Sequence, residues 1–333
     1  MERQKASLTG GVMAAAITLF LWWQAIAGGA AAGSNNGPAG YAARAALINP
    51  AVLQVLLANK KVKVIDVRPP EQYQAGHIPG AINMGVSDYA GTPGTIPELG
   101  HLAAVLGKRG ITNQDTLVLY AGNDKHGPAY SAHLWWLLDM AGHYKVKLLD
   151  GGLRAWETAG YGITDRAAAA AAGHFQIIGP ETGKLAVMAE VLAAVEQPDP
   201  GTVILDVREW PEFAGAVQAP GAARPGRIPG AVWLYWADTL NGDQTLKTAG
   251  ELKQLFAARG VTPDKRVIIY CQAGVRAAHT AYVLSELLGY KQVQNYAGSW
   301  AEWSRNRELP ADSGRIAGQE QGGSPNLRQA AGL

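Results

Sequence analysis

Cys271 is the only cysteine in the 333 residues, and the residues that follow it set the chemistry it could do. The run Tyr270-Cys271-Gln272-Ala273-Gly274-Val275-Arg276 lies between an apolar stretch, Val267 to Tyr270, and a stretch from Ala277 to Leu288 with apolar residues at helical spacing. Strand, tight turn and helix in that order put the sulfur at the carboxyl edge of a parallel sheet, where open α/β folds place ligands. Gly274 permits the tight turn, successive N–H groups then face inward, and the positive end of the helix dipole adds to their field. Such surroundings favour a thiolate, the form of cysteine that acts as a nucleophile. Arg276 adds a fixed cation close by. A lone cysteine ending an apolar strand can also be just a small buried hydrophobe, but the Gly and Arg after this one favour the nucleophile. A single cysteine also excludes an intramolecular disulfide and a multi-cysteine metal site.

The elements that hold this turn occur twice. Val64-Ile65-Asp66-Val67-Arg68 matches Val203-Ile204-Leu205-Asp206-Val207-Arg208 with the acids aligned, and His77-Ile78-Pro79-Gly80-Ala81 matches Arg227-Ile228-Pro229-Gly230-Ala231. The offset grows from 140 to 150 residues between these two matches, so the second half carries a longer loop around Ala214 to Pro225. Arg109-Gly110-Ile111-Thr112 matches Arg259-Gly260-Val261-Thr262, and Gly151 to Trp156 aligns with Gly298 to Trp303. Buried strands are predicted at Val62 to Val67, Leu117 to Tyr120 and Val146 to Leu149, and again at Val203 to Val207, Val267 to Tyr270 and Val293 to Tyr296. Helices are predicted at Ala129 to Met140 and Ala277 to Leu288, ending near Gly142 and Gly289. Strand, crossover helix and parallel strand in alternation give two tandem α/β domains, each a parallel sheet flanked by helices. The boundaries are an N-terminal domain over 45–163, a connection over 164–180 that includes Ala167 to Ala172, a C-terminal domain over 181–310, and a flexible Gly-, Gln- and Ser-rich tail over 311–333. In the first half, Ala121 stands where Cys271 stands in the second, which suggests one working site and one structural copy.

Composition narrows the partners. Hydrophobic residues make up 48% of the chain, with 10 Trp and 12 Tyr, enough for ordinary cores. A net charge of +2 provides no strong field for nucleic acid. Behind Arg3 and Lys5 runs an apolar stretch from Val12 to Ala27, ending in Ala25-Ile26-Ala27. Residues 1–27 therefore read as a cleaved signal peptide or, in the alternative, an uncleaved membrane anchor. Export to the periplasm is expected, and contact with a membrane only through that segment.

From Leu47 to Leu309 the sequence resembles the two-domain rhodanese (sulfurtransferase) family. The motifs are Asp206-Val207-Arg208, Gly226-Arg227-Ile228-Pro229-Gly230-Ala231, the loop Cys271 to Arg276, and Gly298-Ser299-Trp300 with Trp303. The resemblance implies two rhodanese-like domains, a non-catalytic first one and a catalytic second one. It implies that Cys271 takes the outer sulfur of thiosulfate, carries it as a persulfide and passes it to cyanide or a thiol. The N–H groups of Gln272, Ala273, Gly274, Val275 and Arg276 would hold the terminal sulfur's charge. No metal or organic cofactor is implied; the partners are a small-molecule donor and acceptor, or a thiol protein.

Departures from the family pattern leave the donor open. A mercaptopyruvate enzyme typically reads Cys-Gly-Ser-Gly-Val, with a hydroxyl beside the sulfur, whereas Gln272 and Ala273 stand here. Mammalian-type thiosulfate enzymes carry a lysine at the position of Ala273 and an arginine at that of Glu212. Anion binding is then expected to rest on Arg276, with Arg208, Arg224 or Arg227. Trp233, Trp236 and Trp300 are expected to wall the pocket, though each reads equally as core. Arg208 also reads as part of a structural Asp-x-Arg pair, and His279 as a solvated helix residue. Dual-specificity phosphatases share the fold, but place their arginine one residue further from the cysteine than Arg276 lies from Cys271. A third reading is an exported persulfide carrier acting with a partner.

Overall fold

Short runs of aliphatic residues with no polar alternation can be buried only where both faces of a sheet are covered, and this is where the chain puts them. The computed structural model describes residues 40–314 except 44, 97, 123, 169–170 and 180–181. The first half runs β1 (Leu47–Ile48), α1 (Pro50–Ala58), β2 (Lys63–Asp66), α2 (Pro70–Ala75), β3 (Ile82–Asn83), α3 (Leu99–Lys108), β4 (Leu117–Tyr120), α4 (Gly127–Met140), β5 (Val146–Leu149) and α5 (Gly152–Thr158). The second repeats it as β6 (Leu185–Ala186), α6 (Met188–Glu196), β7 (Thr202–Asp206), α7 (Trp210–Phe213), β8 (Val232–Trp233), α8 (Ala249–Ala257), β9 (Arg266–Tyr270), α9 (Val275–Tyr282), β10 (Val293–Tyr296) and α10 (Ser299–Arg305). Each half forms a five-stranded parallel sheet, ordered β1-β5-β4-β2-β3 and β6-β10-β9-β7-β8. The two tandem α/β domains expected from the repeat are present.

In both sheets the Asp-x-Arg pair braces the carboxyl end of a central strand. Arg208 Nη2 lies 2.6 Å from Asp206 Oδ2 and donates to the Gly226 carbonyl at 2.8 Å, while Arg68 does the same with Asp66 at 2.6 Å and Gly76 at 2.7 Å. The hydroxyls of Tyr270 and Tyr120 accept from the N–H of Ile228 and Ile78. A geometry kept in both halves, including the one without a cysteine, serves the fold.

Helices α4 and α9 are buried on nearly every side, as helices between a sheet and a neighbouring helix must be. They pack against each other, with the rings of Trp135 and Tyr282 edge to face at 5.0 Å, and one apolar cluster runs through both halves. The helix predicted from Ala277 to Leu288 starts two residues earlier and gives way at Val283 to a π-helical turn through Leu287. Pattern reading misses the two-residue strands β1, β3, β6 and β8, which are too short to show a period.

The connection is tied to the first domain. Thr164 pairs with His77, Gly173 N–H donates to the Gly107 carbonyl, Phe175 is buried, and Ile178 N–H donates to Ala141. The start of the expected tail is anchored too: Asp312 pairs with Arg227, and Gly314 N–H donates to the Ala214 carbonyl. The rest of that tail, and segment 1–27 read as an export signal or anchor, lie outside the described residues. Among the described residues, no helix is long and apolar enough to cross a membrane.

Candidate active site

Strand β9 ends at Tyr270 and delivers Cys271 to the carboxyl edge of the sheet, 1% exposed. Its backbone is fixed from both sides. The Cys271 N–H donates to Ser299 Oγ at 3.1 Å, the Ser299 hydroxyl donates to the Tyr296 carbonyl, and the Cys271 carbonyl accepts from Trp300 N–H at 3.0 Å. Ser299 has φ +52°, a left-handed conformation that is costly for a residue with a Cβ. The first half has Gly152 at the matching position, with φ +56°, and a Cβ there would stand 2.5 Å from the Ala121 carbonyl. The serine that holds the cysteine amide thus occurs only in the half that has a cysteine.

The turn closes on Gly274, the left-handed N-cap of α9 with φ +83°. Asn295 Nδ2 donates to its carbonyl at 3.1 Å. No backbone acceptor among the described residues meets the N–H groups of Gln272, Ala273, Gly274, Val275 or Arg276. Free amides at a helix start, with the dipole behind them, suit an anionic terminal sulfur.

A cavity of about 390 Å³ opens at this turn. Cys271, Gln272, Ala273, Val275 and Arg276 line one side, and Glu209 and Glu212 face them from α7 and the residue before it. Val217, Ala219 and Pro220, from the ten-residue insertion, close over the site, where the Gln272 side chain donates to the Pro220 carbonyl at 2.9 Å. His126 and Tyr130 complete the wall from the first domain.

The electrostatics depart from expectation. Arg276 is committed to Glu212 through two bonds of 2.7 and 3.0 Å, with both side chains nearly buried. Burial alone would raise the Glu212 carboxyl, but the Arg276 bonds and charge outweigh it and hold the group below the ordinary carboxylate range. At the cavity mouth Lys125 of the first domain pairs with Glu209 at 2.5 Å. Burial first, then the charges of Arg276 and Lys125, hold His126 below its usual value.

Several residues expected to bind substrate are instead part of the frame. Arg208, Arg227, Trp236 and Trp300 are not among the lining residues. Arg208 is spent on Asp206 and Gly226. Arg227 Nη1 donates to the carbonyls of Phe213 and Gly314, and Arg224 Nη2 to those of Asn306 and Leu309. Trp300 packs on the Arg208 guanidinium at 5.0 Å and donates to the Arg224 carbonyl. Trp233 donates to the Arg208 carbonyl. Trp236 lies behind His126 rather than on the cavity. His279, expected in solvent, is 2% exposed, and burial pushes its imidazole down to about 3. The repeat does not single out His126 and Tyr130, whose loop lacks a thiol, or Glu209, which has only the Asp206-Val207-Arg208 motif beside it. The polar run Asp124-Lys125-His126 was the available signal.

Two segments, residues 49–159 and 187–306, match the model of the rhodanese-like domain. The chain is similar to "Putative thiosulfate sulfurtransferase 1" of Mycobacterium bovis, 35% identical over 263 residues that cover 76% of this chain and 92% of the relative. It is also similar to the sulfur carrier protein TtuD of Thermus thermophilus, 32% identical over 285 residues, or 83% of this chain and 99% of the relative. Its fold matches the anaerobic ergothioneine biosynthesis enzyme from Chlorobium limicola in complex with trimethyl histidine. That match has a TM-score of 0.74 and 24% identity, and covers 83% of this chain and 72% of that one.

Proposed function

This chain belongs to the rhodanese family, and from that premise we propose that it moves the sulfane sulfur of thiosulfate to a thiophilic acceptor, cyanide or a thiol, through a persulfide on Cys271. The observation that carries the reading is the turn from Cys271 to Arg276, whose amides after the cysteine meet no backbone acceptor among the described residues and of which Cys271, Gln272, Ala273, Val275 and Arg276 line one cavity. Donors fixed in advance stabilise charge on the transferred sulfur without reorganising during the reaction. The thiolate attacks the outer sulfur of thiosulfate and sulfite leaves. The acceptor then takes the sulfur and Cys271 is restored, a double displacement. Ala273 on the wall has no hydroxyl to offer, which favours thiosulfate over mercaptopyruvate as donor. The apolar run from Val12 to Ala27 supports export, so the acceptor meant is one met outside the cytoplasm.

The test is formation of thiocyanate from thiosulfate and cyanide by the purified protein. Cys271→Ala should reduce it to background, and equal turnover by that variant would refute the assignment. The similarity to TtuD supports a second reading, a carrier loaded by one protein and unloaded by another. It would show as slow turnover of thiosulfate beside rapid loading from a persulfide-bearing protein.

A further inference from the structure

We propose that His126, from the domain without a cysteine, is the catalytic residue that takes the proton of a thiol acceptor entering the cavity at Cys271. The proposal rests on the sulfur-transfer reading and adds to it the acceptor's chemical class and a role for the first domain.

The groups facing the cavity leave one candidate. Glu212 is bonded at both oxygens to Arg276, and Glu209 is paired with Lys125. Arg276 has no lone pair to offer. Burial and the charge of Asp124 push the Tyr130 hydroxyl further above its usual value, so it stays protonated. His126 remains: neither ring nitrogen has a hydrogen-bond partner among the described residues. Its ring is held by Trp236 at 6.2 Å, nearly parallel, and by Tyr130 at 6.3 Å. Trp236 is itself fixed, buried and edge to face with His279 at 5.0 Å. The charged and titratable groups around His126 are Asp124, Lys125 and Tyr130 on its own segment and Glu209, Glu212 and Arg276 opposite. Their balance, together with burial, keeps the imidazole neutral and able to accept a proton.

A thiol needs such a base because its pKa, about 8.5, leaves it mostly protonated at neutral pH. Sulfite, the leaving group of the loading step, is already an anion at neutral pH and needs no base at this step. In the proposed step His126 removes the thiol proton and the acceptor sulfur bonds to the outer sulfur of the Cys271 persulfide. The bond from that sulfur to Cys271 Sγ breaks, and its electron pair stays on Sγ as thiolate. The imidazolium then returns its proton to the product persulfide. The sulfane sulfur keeps its oxidation state, so no oxidant or reductant is needed.

The experiment is a single turnover with the full chain. Wild type, His126→Gln and His126→Asn are loaded with thiosulfate and mixed with excess 2-mercaptoethanol or sulfite between pH 6 and 9, and loss of the persulfide is followed by quenched mass spectrometry. The ratio of thiol to sulfite rate is expected to fall on the order of 10²-fold in both variants, as for loss of a general base. The thiol rate of the variants should also climb steadily with pH where the wild type levels off. Equal losses with both acceptors would mean a structural role, and an unchanged ratio would mean no role; either overturns the proposal. Failure of the wild type itself to load would instead refute the sulfur-transfer reading.

Discussion

Arg276 is the one guanidinium lining the cavity among the described residues, and Glu212 holds both of its ends. A dianion such as thiosulfate therefore meets a neutralised pair and must rely on the turn's amides. Glu212→Gln should lower the KM for thiosulfate by about tenfold, equal to about 1.4 kcal/mol, because Arg276 regains its charge toward the cavity. Steady-state kinetics check this, and an increased KM would contradict it. The pair also links stability to pH. The folded Glu212 carboxyl is depressed, so its contribution is complete above the ordinary carboxylate range and is lost as pH falls through the depressed value. With Arg276 replaced by Met, burial is left to raise the Glu212 carboxyl, so the variant should be destabilised at neutral pH and regain part of that stability on acidification, followed by chemical denaturation and circular dichroism at pH 7 and at about pH 5. At this scale Cys271 was legible because strand, Gly turn and helix surround it. Residue type shows what Arg208, Arg227 and Trp300 can bind, and only the fold shows that carbonyls and a carboxylate of the frame already occupy them and that Trp236 is buried behind His126.

The turn and the helix behind it differ between the halves in ways that confine the proposed sulfur loading to the second. Gly274 needs its φ of +83°, and a Cβ there would stand 2.9 Å from the Ala297 carbonyl. Gly274→Ala should cost about 2 kcal/mol or more, from the left-handed conformation and that contact together, and should abolish sulfur loading. Differential scanning calorimetry and the thiocyanate assay measure the two effects. In the first half, Ala121 faces a cavity of only about 30 Å³, closed by Leu240, Gln244 and Leu246 of the second domain. That is room for about one water. Ala121→Cys in the Cys271→Ala background is accordingly expected to stay unloaded in thiosulfate, and loading there would show that the thiol alone decides activity. Central strand β4 was readable to the residue because burial on both faces leaves an unbroken apolar run, and β5 and β10 because apolar residues bound the polar Lys147 and Gln294-Asn295. The edge strands and the π-helical turn after Tyr282 were not, since pairing and packing with the rest of the fold create them.

The whole molecule joins its halves through α4 and α9, through one apolar cluster, and through Asp150, which accepts the Leu246 N–H across the domain boundary at 2.9 Å. Burial pushes the Asp150 carboxyl up to about 6. The folded protein thus holds this proton more tightly than the unfolded chain, and stability from this group falls as pH rises from about 4 to about 6, then stays reduced. Asp150→Asn keeps the acceptor and removes the charge, so it should stabilise the protein by about 1–3 kcal/mol at pH 7.5 and flatten that slope. The repeat made two domains legible in the sequence, but not that the silent one walls the site with His126 and Tyr130, a contact across more than 140 residues of chain. Everything proposed above depends on Cys271 carrying the sulfur. This is tested most directly by the intact mass of the protein after thiosulfate, with Cys271→Ala as control. A gain of one sulfur, about 32 Da, removed by cyanide and absent from the control, is the expected result for an activated thiol. An unchanged wild-type mass, or the same gain in the control, would contradict it.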